Sequence, residues 1–289
     1  MVHLLLAATM QMPLPQPARS FDAGTTRVSV YGDAANPIAL IPGLACGPWV
    51  WSREIAHLSK THTVYALTLS GFDGRPYAVT GNPFEQFDRD FETLLNDEHL
   101  SSVTIIGHSL GGTLAFYLAE KHPAQIARVV AVDGLPVFPT FAMADSTARA
   151  RAAETIAGPF ASETHDQLLA FERRFMRTMT LRSDLVEQTA ELVARSDPKG
   201  IAAWLAADMR ADLRPQLVNA TMPILELMPY ATPSPYTEDD TLSFYRLLLA
   251  TAPHATVEPI TPSRHFAMLD QPDAVERAID AFLSSPANR

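Results

Sequence analysis

The chain has one cysteine, Cys46, among 289 residues. No intrachain disulfide can form, so stability has to come from packing. Basic charge is scarce too: 22 Lys and Arg stand against 32 Asp and Glu, a net charge of −10. Without a Lys/Arg cluster, that balance excludes a general nucleic-acid surface. No apolar run approaches the roughly 20 residues of a membrane-spanning helix. Neither an H-E-x-x-H motif nor a Cys/His ligand spacing occurs, so no metal and no organic cofactor is expected. What the chain does have is length and apolar content. Hydrophobic residues make up 47% of it, enough to bury an ample core. The N-terminus opens on a short apolar stretch, Leu4 to Met10, then a proline-rich segment. It lacks a basic n-region and a small-x-small cleavage site, and is read as a flexible leader over 1–20, with a trimmed signal as the alternative. This leaves both a cytoplasmic and an exported location open.

Strand-like and helix-like segments alternate in the first half. Arg27–Tyr31, Ile38–Ile41, Thr63–Leu67, Val103–Ile106 and Arg128–Val132 are expected strands. Trp49–Leu58, Phe84–Leu95 and Leu110–Lys121 are expected helices. Strands apolar on both faces in such a rhythm predict an α/β fold, a mostly parallel sheet flanked by helices. The rhythm breaks over 138–217, where Asp145–Ile156, Glu163–Met179, Asp184–Arg195 and Lys199–Met209 read as helices. "ARSDPKG" supplies a stop and a restart. After Pro223 the alternation returns, with strands at Ile224–Met228 and Thr256–Ile260 and helices at Leu242–Ala250 and Asp273–Leu283. The expected organisation is a core of 21–137 and 218–289 interrupted by an all-helical insertion of 138–217.

Gly107-His108-Ser109-Leu110-Gly111 fits G-x-S-x-G, preceded by a strand and followed by a helix, as a nucleophile elbow requires. The glycines leave room for a serine on a strained turn, with its hydroxyl projecting above the sheet. The backbone N–H of Leu110 is then one donor to a developing oxyanion. A serine needs a base, and histidine suits that task near neutrality. Of nine histidines, His57, His62, His99 and His122 fall on helix ends or loops and His254 in a turn, all read as solvated. His108 is fixed by the backbone beside Ser109 and reads as a turn and packing residue.

The elbow, the strand order, the helical insertion after Val132 and a late histidine together resemble the α/β-hydrolase superfamily, in its serine esterase and lipase branch with a helical cap. That resemblance covers nearly the whole chain. It implies a base on the loop before the last helix, and "TPSRHFAMLDQPD" puts His265 there. The usual slot for the acid, after Ile224–Met228, holds no carboxylate in "PYATPSPYTEDD". Asp133, closing "RVVAVD", is the preferred substitute, because some family members place their acid at that strand end. Glu238, Asp239 and Asp240 are the alternatives; Asp240 also reads as a helix N-cap. The second oxyanion donor maps onto Leu44 in "PGLACGPW".

The insertion carries aromatic and methionine side chains that pack its helices or face a cleft. Cys46, His108, Phe138, Phe141, Phe175, Met179 and Trp204 are the candidate pocket residues. They imply a small to medium, uncharged and partly apolar ester as the partner molecule. An aminopeptidase would need an acidic anchor for the substrate amine in the insertion; Glu154, Glu163, Glu172 and Asp208 are available, with none singled out. Amide, peptide or carbon–carbon hydrolysis, acyl transfer, perhydrolysis and a non-catalytic ligand-binding role are the alternatives on this scaffold.

Overall fold

The computed structural model describes residues 13–285. Eight strands form one sheet: β1 (Arg19–Ala23), β2 (Thr26–Tyr31), β3 (Ile38–Ile41), β4 (Val64–Thr68), β5 (Val103–His108), β6 (Ile126–Val132), β7 (Ile224–Pro229) and β8 (Ala255–Ile260). Their order is β1-β2-β4-β3-β5-β6-β7-β8. β1 and β2 pair antiparallel, β2 meets β4 antiparallel, and every other pairing is parallel. The chain is therefore α/β, as its alternation of elements predicts.

Ten α-helices accompany the sheet among the described residues: α1 (Ser52–Leu58), α2 (Pro83–Asp97), α3 (Leu110–Lys121), α4 (Ser146–Ala157), α5 (His165–Met179), α6 (Val186–Val193), α7 (Pro198–Arg210), α8 (Glu238–Leu248), α9 (Ala267–Asp270) and α10 (Pro272–Ser284). Both faces of the sheet are covered. Ile105 packs with Phe87 and Phe91 of α2 and Leu114 of α3, while its neighbour Ile106 packs with Ile55 of α1 and Val275 of α10. The period-2 alternation of a strand sends adjacent isoleucines to opposite layers. A helix on each layer is why both are apolar.

Between β6 and β7 the chain makes α4–α7. Their ends are set by local chemistry. Asp145 caps α4, and Thr164 with Gln167 closes a capping box on α5. Asp197 caps α7, with Pro198 in its first turn. α7 is anchored to the core by Trp204, which is 1% exposed. Its ring meets those of Phe72, Phe84 and Phe87 at 6.1, 6.3 and 6.4 Å, and Nε1 donates to Ser70 O at 2.9 Å. This corrects the expectation that Trp204 lines the pocket: helical spacing cannot tell the cleft face of α7 from the core face.

Two further boundaries differ from the sequence reading. Residues 1–12 of the expected leader lie outside the described residues. Arg19 and Ser20, also expected in that leader, pair with Val30 and Ser29 in β1. The polar RSFDA has no apolar run because β1 is an edge strand with an exposed face. α8 starts earlier than expected, because Thr237 and Asp240 form a capping box around its first turn. His122, read as solvated, is buried and bonded to Asp88 at 2.7 Å.

Candidate active site

Four loops leave the carboxyl ends of β3, β5, β6 and β8, the edge of a parallel sheet where ligands bind. They bring Leu44, Ser109, Asp133 and His265 to the wall of one cavity of about 450 Å³.

Ser109 sits between β5 and α3 with φ at +52°, a left-handed conformation costly for any residue with a side chain. The glycines of the motif are what the turn demands. A Cβ on Gly107 would stand 2.1 Å from Gly111 O, and one on Gly111 would stand 2.3 Å from Ile41 O. Leu110 is the first residue of α3, so its N–H has no partner within the helix and points outward from its N-terminus. Leu44 occupies a tight turn in which Cys46 N–H returns to Gly43 O at 3.1 Å and Ala45 takes φ +57°.

The structure brings His265 and Asp133 into direct contact: Nδ1 lies 2.5 Å from Oδ2. Their side chains are 26% and 15% exposed, so the pair is largely shielded while the imidazole edge stays reachable. Asp133 also stands at positive φ, +49°. Its second oxygen accepts the hydroxyl of Tyr245, on α8. Burial alone would raise the Asp133 carboxyl, but the His265 charge and the bonds from His265 and Tyr245 outweigh it and hold it below the usual carboxylate range. Beneath lies Glu226, fully buried, with one oxygen accepting Gly134 N–H at 3.2 Å. Burial first, then the Asp133 charge, raises the Glu226 carboxyl well above the usual carboxylate range.

The His265 loop is tied down on three sides. His108 Nε2 donates to His265 O at 3.0 Å, Phe266 N–H to Met179 O at 3.1 Å, and Arg264 N–H to Asp270 Oδ2 at 2.8 Å. Asp270 also accepts Leu181 N–H at 2.8 Å, so one carboxylate joins the loop to the end of α5. Ser109 and His265 share the cavity wall, but no hydrogen bond joins them among the described residues. Such contacts often tighten only when substrate is bound.

The alternative acids do not face the cavity. Asp240 closes the capping box with Thr237, Glu238 accepts from Thr261 at 3.2 Å, and Asp239 lies in the same first turn of α8. Their cluster serves a helix start, where carboxylates complement the dipole. Of the expected pocket residues, Cys46, His108, Phe138, Phe175 and Met179 line the cavity. Phe141 does not; its ring packs on Phe138 at 6.0 Å, one layer back. Phe160 and Phe171, two of the insertion's aromatics expected either to pack its helices or to face a cleft, line the cavity; sequence reasoning missed Tyr245. Tyr245 follows Phe244 inside an ordinary amphipathic helix, a pattern carrying no signal that its hydroxyl reaches a distant aspartate.

A family model described as the alpha/beta hydrolase family matches residues 38–278. The human (lyso)-N-acylphosphatidylethanolamine lipase is 30% identical over 123 residues, 40% of this chain but only 36% of the relative's length. The 3-oxoadipate enol-lactonase 2 of Acinetobacter baylyi is 22% identical over 263 residues, 88% of this chain and 91% of that one. Among solved structures, an esterase from Thermogutta terrifontis superposes with a TM-score of 0.75 at 19% identity, covering 92% of this chain and 98% of the other. At that identity the likeness speaks for the fold.

Proposed function

The chain belongs to the alpha/beta hydrolase family, and on that premise we propose that it is a serine hydrolase cleaving carboxylic esters of small to medium size through an acyl-enzyme. The observation that carries the proposal is the 2.5 Å contact between His265 Nδ1 and Asp133 Oδ2 on the wall that also holds Ser109. The carboxylate selects the imidazole tautomer with the proton on Nδ1, which leaves Nε2 free to accept.

In this reading Ser109 Oγ attacks the ester carbonyl while its proton passes to His265 Nε2. The imidazolium is stabilised by Asp133, whose other oxygen accepts the Tyr245 hydroxyl. The oxyanion is taken by the N–H groups of Leu110 and Leu44, each such donor contributing about 3 kcal/mol to the barrier reduction. His265 then protonates the leaving alcohol. A water, giving its proton to His265, attacks the acyl-enzyme and releases the acid and Ser109. The helices α4–α7 act as a cap. Phe160, Phe171 and Phe175 form its apolar lining, with ring centroids 5.4 and 5.5 Å apart, and this excludes water from the acyl group. The esterase and enol-lactonase relatives are compatible with ester cleavage.

Hydrolysis of p-nitrophenyl esters of graded chain length tests the reading. The wild type should turn them over, and Ser109→Ala should lose about a thousandfold or more. Undiminished turnover in Ser109→Ala would overturn it.

A further inference from the structure

Leu44 N–H can serve the proposed reaction only if its peptide plane is held. Gly43 O belongs to the same peptide unit, and in a trans peptide the two point in opposite directions, so fixing one aims the other. Gly43 O accepts Cys46 N–H at 3.1 Å. Cys46 N–H in turn shares a peptide unit with Ala45 O, and Ala45 O accepts the hydroxyl of Ser196 at 3.0 Å. Two peptide planes therefore link the Ser196 hydroxyl to Leu44 N–H. The turn needs that support. Ala45 takes φ +57°, a left-handed conformation that persists only where the surroundings over-determine it.

Ser196 lies in the joint between α6 and α7 and is 3% exposed. Its hydrogen bonds leave no choice of direction. Asp73 N–H can only donate, and reaches Ser196 Oγ at 3.2 Å. Ala45 O can only accept, so the one hydroxyl proton goes there. The neighbours of Ser196 are fixed in turn. Asp197 N–H donates to Gly71 O at 2.7 Å, and Asp197 Oδ2 accepts Tyr77 N–H at 3.0 Å. The two backbones approach so closely that a Cβ on Gly71 would stand 2.9 Å from the Cα of Gly200. Asp73 also closes the far end of the Leu44 loop, since a Cβ on Gly47 would stand 2.3 Å from its Oδ2. Leu44 and Ala45 line the cavity, whereas Ser196 stands outside its wall. Ser196 meets no reacting atom and can act only through the loop.

We propose that Ser196 is a positioning residue for the oxyanion site: through Ala45 O and the Gly43–Cys46 turn, its hydroxyl sets the direction of Leu44 N–H. The role rests on the serine-hydrolase reading above, in which that N–H meets the oxyanion. Stabilisation of this kind depends on donors fixed before the charge develops, and a hydrogen bond to Ala45 O also polarises the peptide units beyond it. In the sequence Ser196 shows only as part of the stop and restart in "ARSDPKG", because its partners lie 123 and 151 residues away.

The test compares Ser196→Ala with the wild type on one p-nitrophenyl ester, alongside inhibition by n-hexylboronic acid and by n-hexanol. The boronic acid accepts an electron pair from Ser109 Oγ, whose proton passes to His265, and becomes a tetrahedral boronate with an oxygen at the oxyanion site. Hexanol binds without forming that bond. In Ser196→Ala, kcat and kcat/KM should fall together by about tenfold, a part of the hundredfold or more that loss of an oxyanion donor costs. The affinity for hexylboronic acid should fall by a similar factor. The affinity for hexanol and the midpoints of the pH–rate profile should stay unchanged, because the apolar walls and the Asp133–His265 pair are untouched. Wild-type kcat and boronic-acid affinity in Ser196→Ala, or equal losses for both inhibitors, would overturn the proposal. Should Ser196→Ala fail to fold, Ser196→Cys, close in size and a weak donor, should show the same split to a smaller degree; wild-type kcat there would overturn the role as well. Activity lost in Ser109→Ala but kept in Ser196→Ala would remove this role alone. A wild type that cleaves no ester and binds hexylboronic acid no better than hexanol would overturn the hydrolase reading, and this role with it.

Discussion

His108 Nε2 lies 3.0 Å from the carbonyl oxygen of His265, so the residue beside the candidate nucleophile holds the backbone of the candidate base. A carbonyl only accepts, which fixes the proton of His108 on Nε2 and leaves its buried Nδ1 without a partner. The ring is enclosed by Trp51, Phe266 and the His265 ring, at 6.4, 4.9 and 4.6 Å. Burial first, and the His265 charge second, push its pKa down to about 3.

That depression predicts an acid-sensitive fold. The unfolded histidine takes its proton near pH 6.5, while the folded one resists it down to about 3. The stability His108 confers is therefore present above about 6.5 and lost as pH falls toward 3, at about 1.4 kcal/mol per unit. His108→Gln retains an N–H donor and cannot titrate in this range. Thermal melts from pH 7 to pH 4 should show a smaller loss for the variant than for the wild type; parallel losses would contradict the account.

Asp133 and Tyr245 predict two graded kinetic defects. Asp133→Asn removes the carboxylate that orients His265 and should lower kcat by about three to four orders of magnitude while the fold persists. Tyr245→Phe removes only one donor to that carboxylate. It should cost about tenfold, and the acid limb of kcat/KM should move to higher pH, because a less stabilised carboxylate binds protons more readily with its imidazole partner. A pH–rate profile unchanged in Tyr245→Phe would show that the hydroxyl has no such role.

Glu54 predicts an effect of the opposite sign. It lies on α1, 1% exposed, with Oε1 unpartnered, and burial raises its pKa to about 8. A carboxyl raised on folding favours the fold at low pH, and that contribution is lost as pH climbs from the ordinary carboxylate value through about 8. Glu54→Gln should therefore melt higher than the wild type at pH 9, with the gap narrowing at pH 5. An unchanged gap would contradict it.

Trp204 and Phe175 separate core from cleft. Trp204→Ala empties a fully enclosed site among three phenylalanines and should cost about 3–5 kcal/mol of stability. Phe175 is 39% exposed and lies on the cavity wall. Phe175→Ala should change stability by less than about 0.5 kcal/mol and raise KM for the longer esters. Denaturant melts and chain-length profiles of both variants check this; a large stability loss in Phe175→Ala would contradict the assignment.

The contrast between those two residues marks what the sequence can and cannot convey. Ile105–Ile106 and the glycines around Ser109 are local demands of strand and turn, legible from spacing alone. The elbow and the α/β alternation were read for that reason. β1 was missed because an edge strand needs no apolar run. Tyr245 meeting Asp133 across 112 residues depends on how α8 lies over β6, which no local pattern encodes.

The most direct measurement is peptide mapping by mass spectrometry after acid-quenching the protein during turnover of a p-nitrophenyl ester. The account predicts an acyl adduct on the peptide containing Ser109, absent from Ser109→Ala and longer-lived in Asp133→Asn. Turnover without any adduct on Ser109, or an adduct on Cys46 instead, would contradict it.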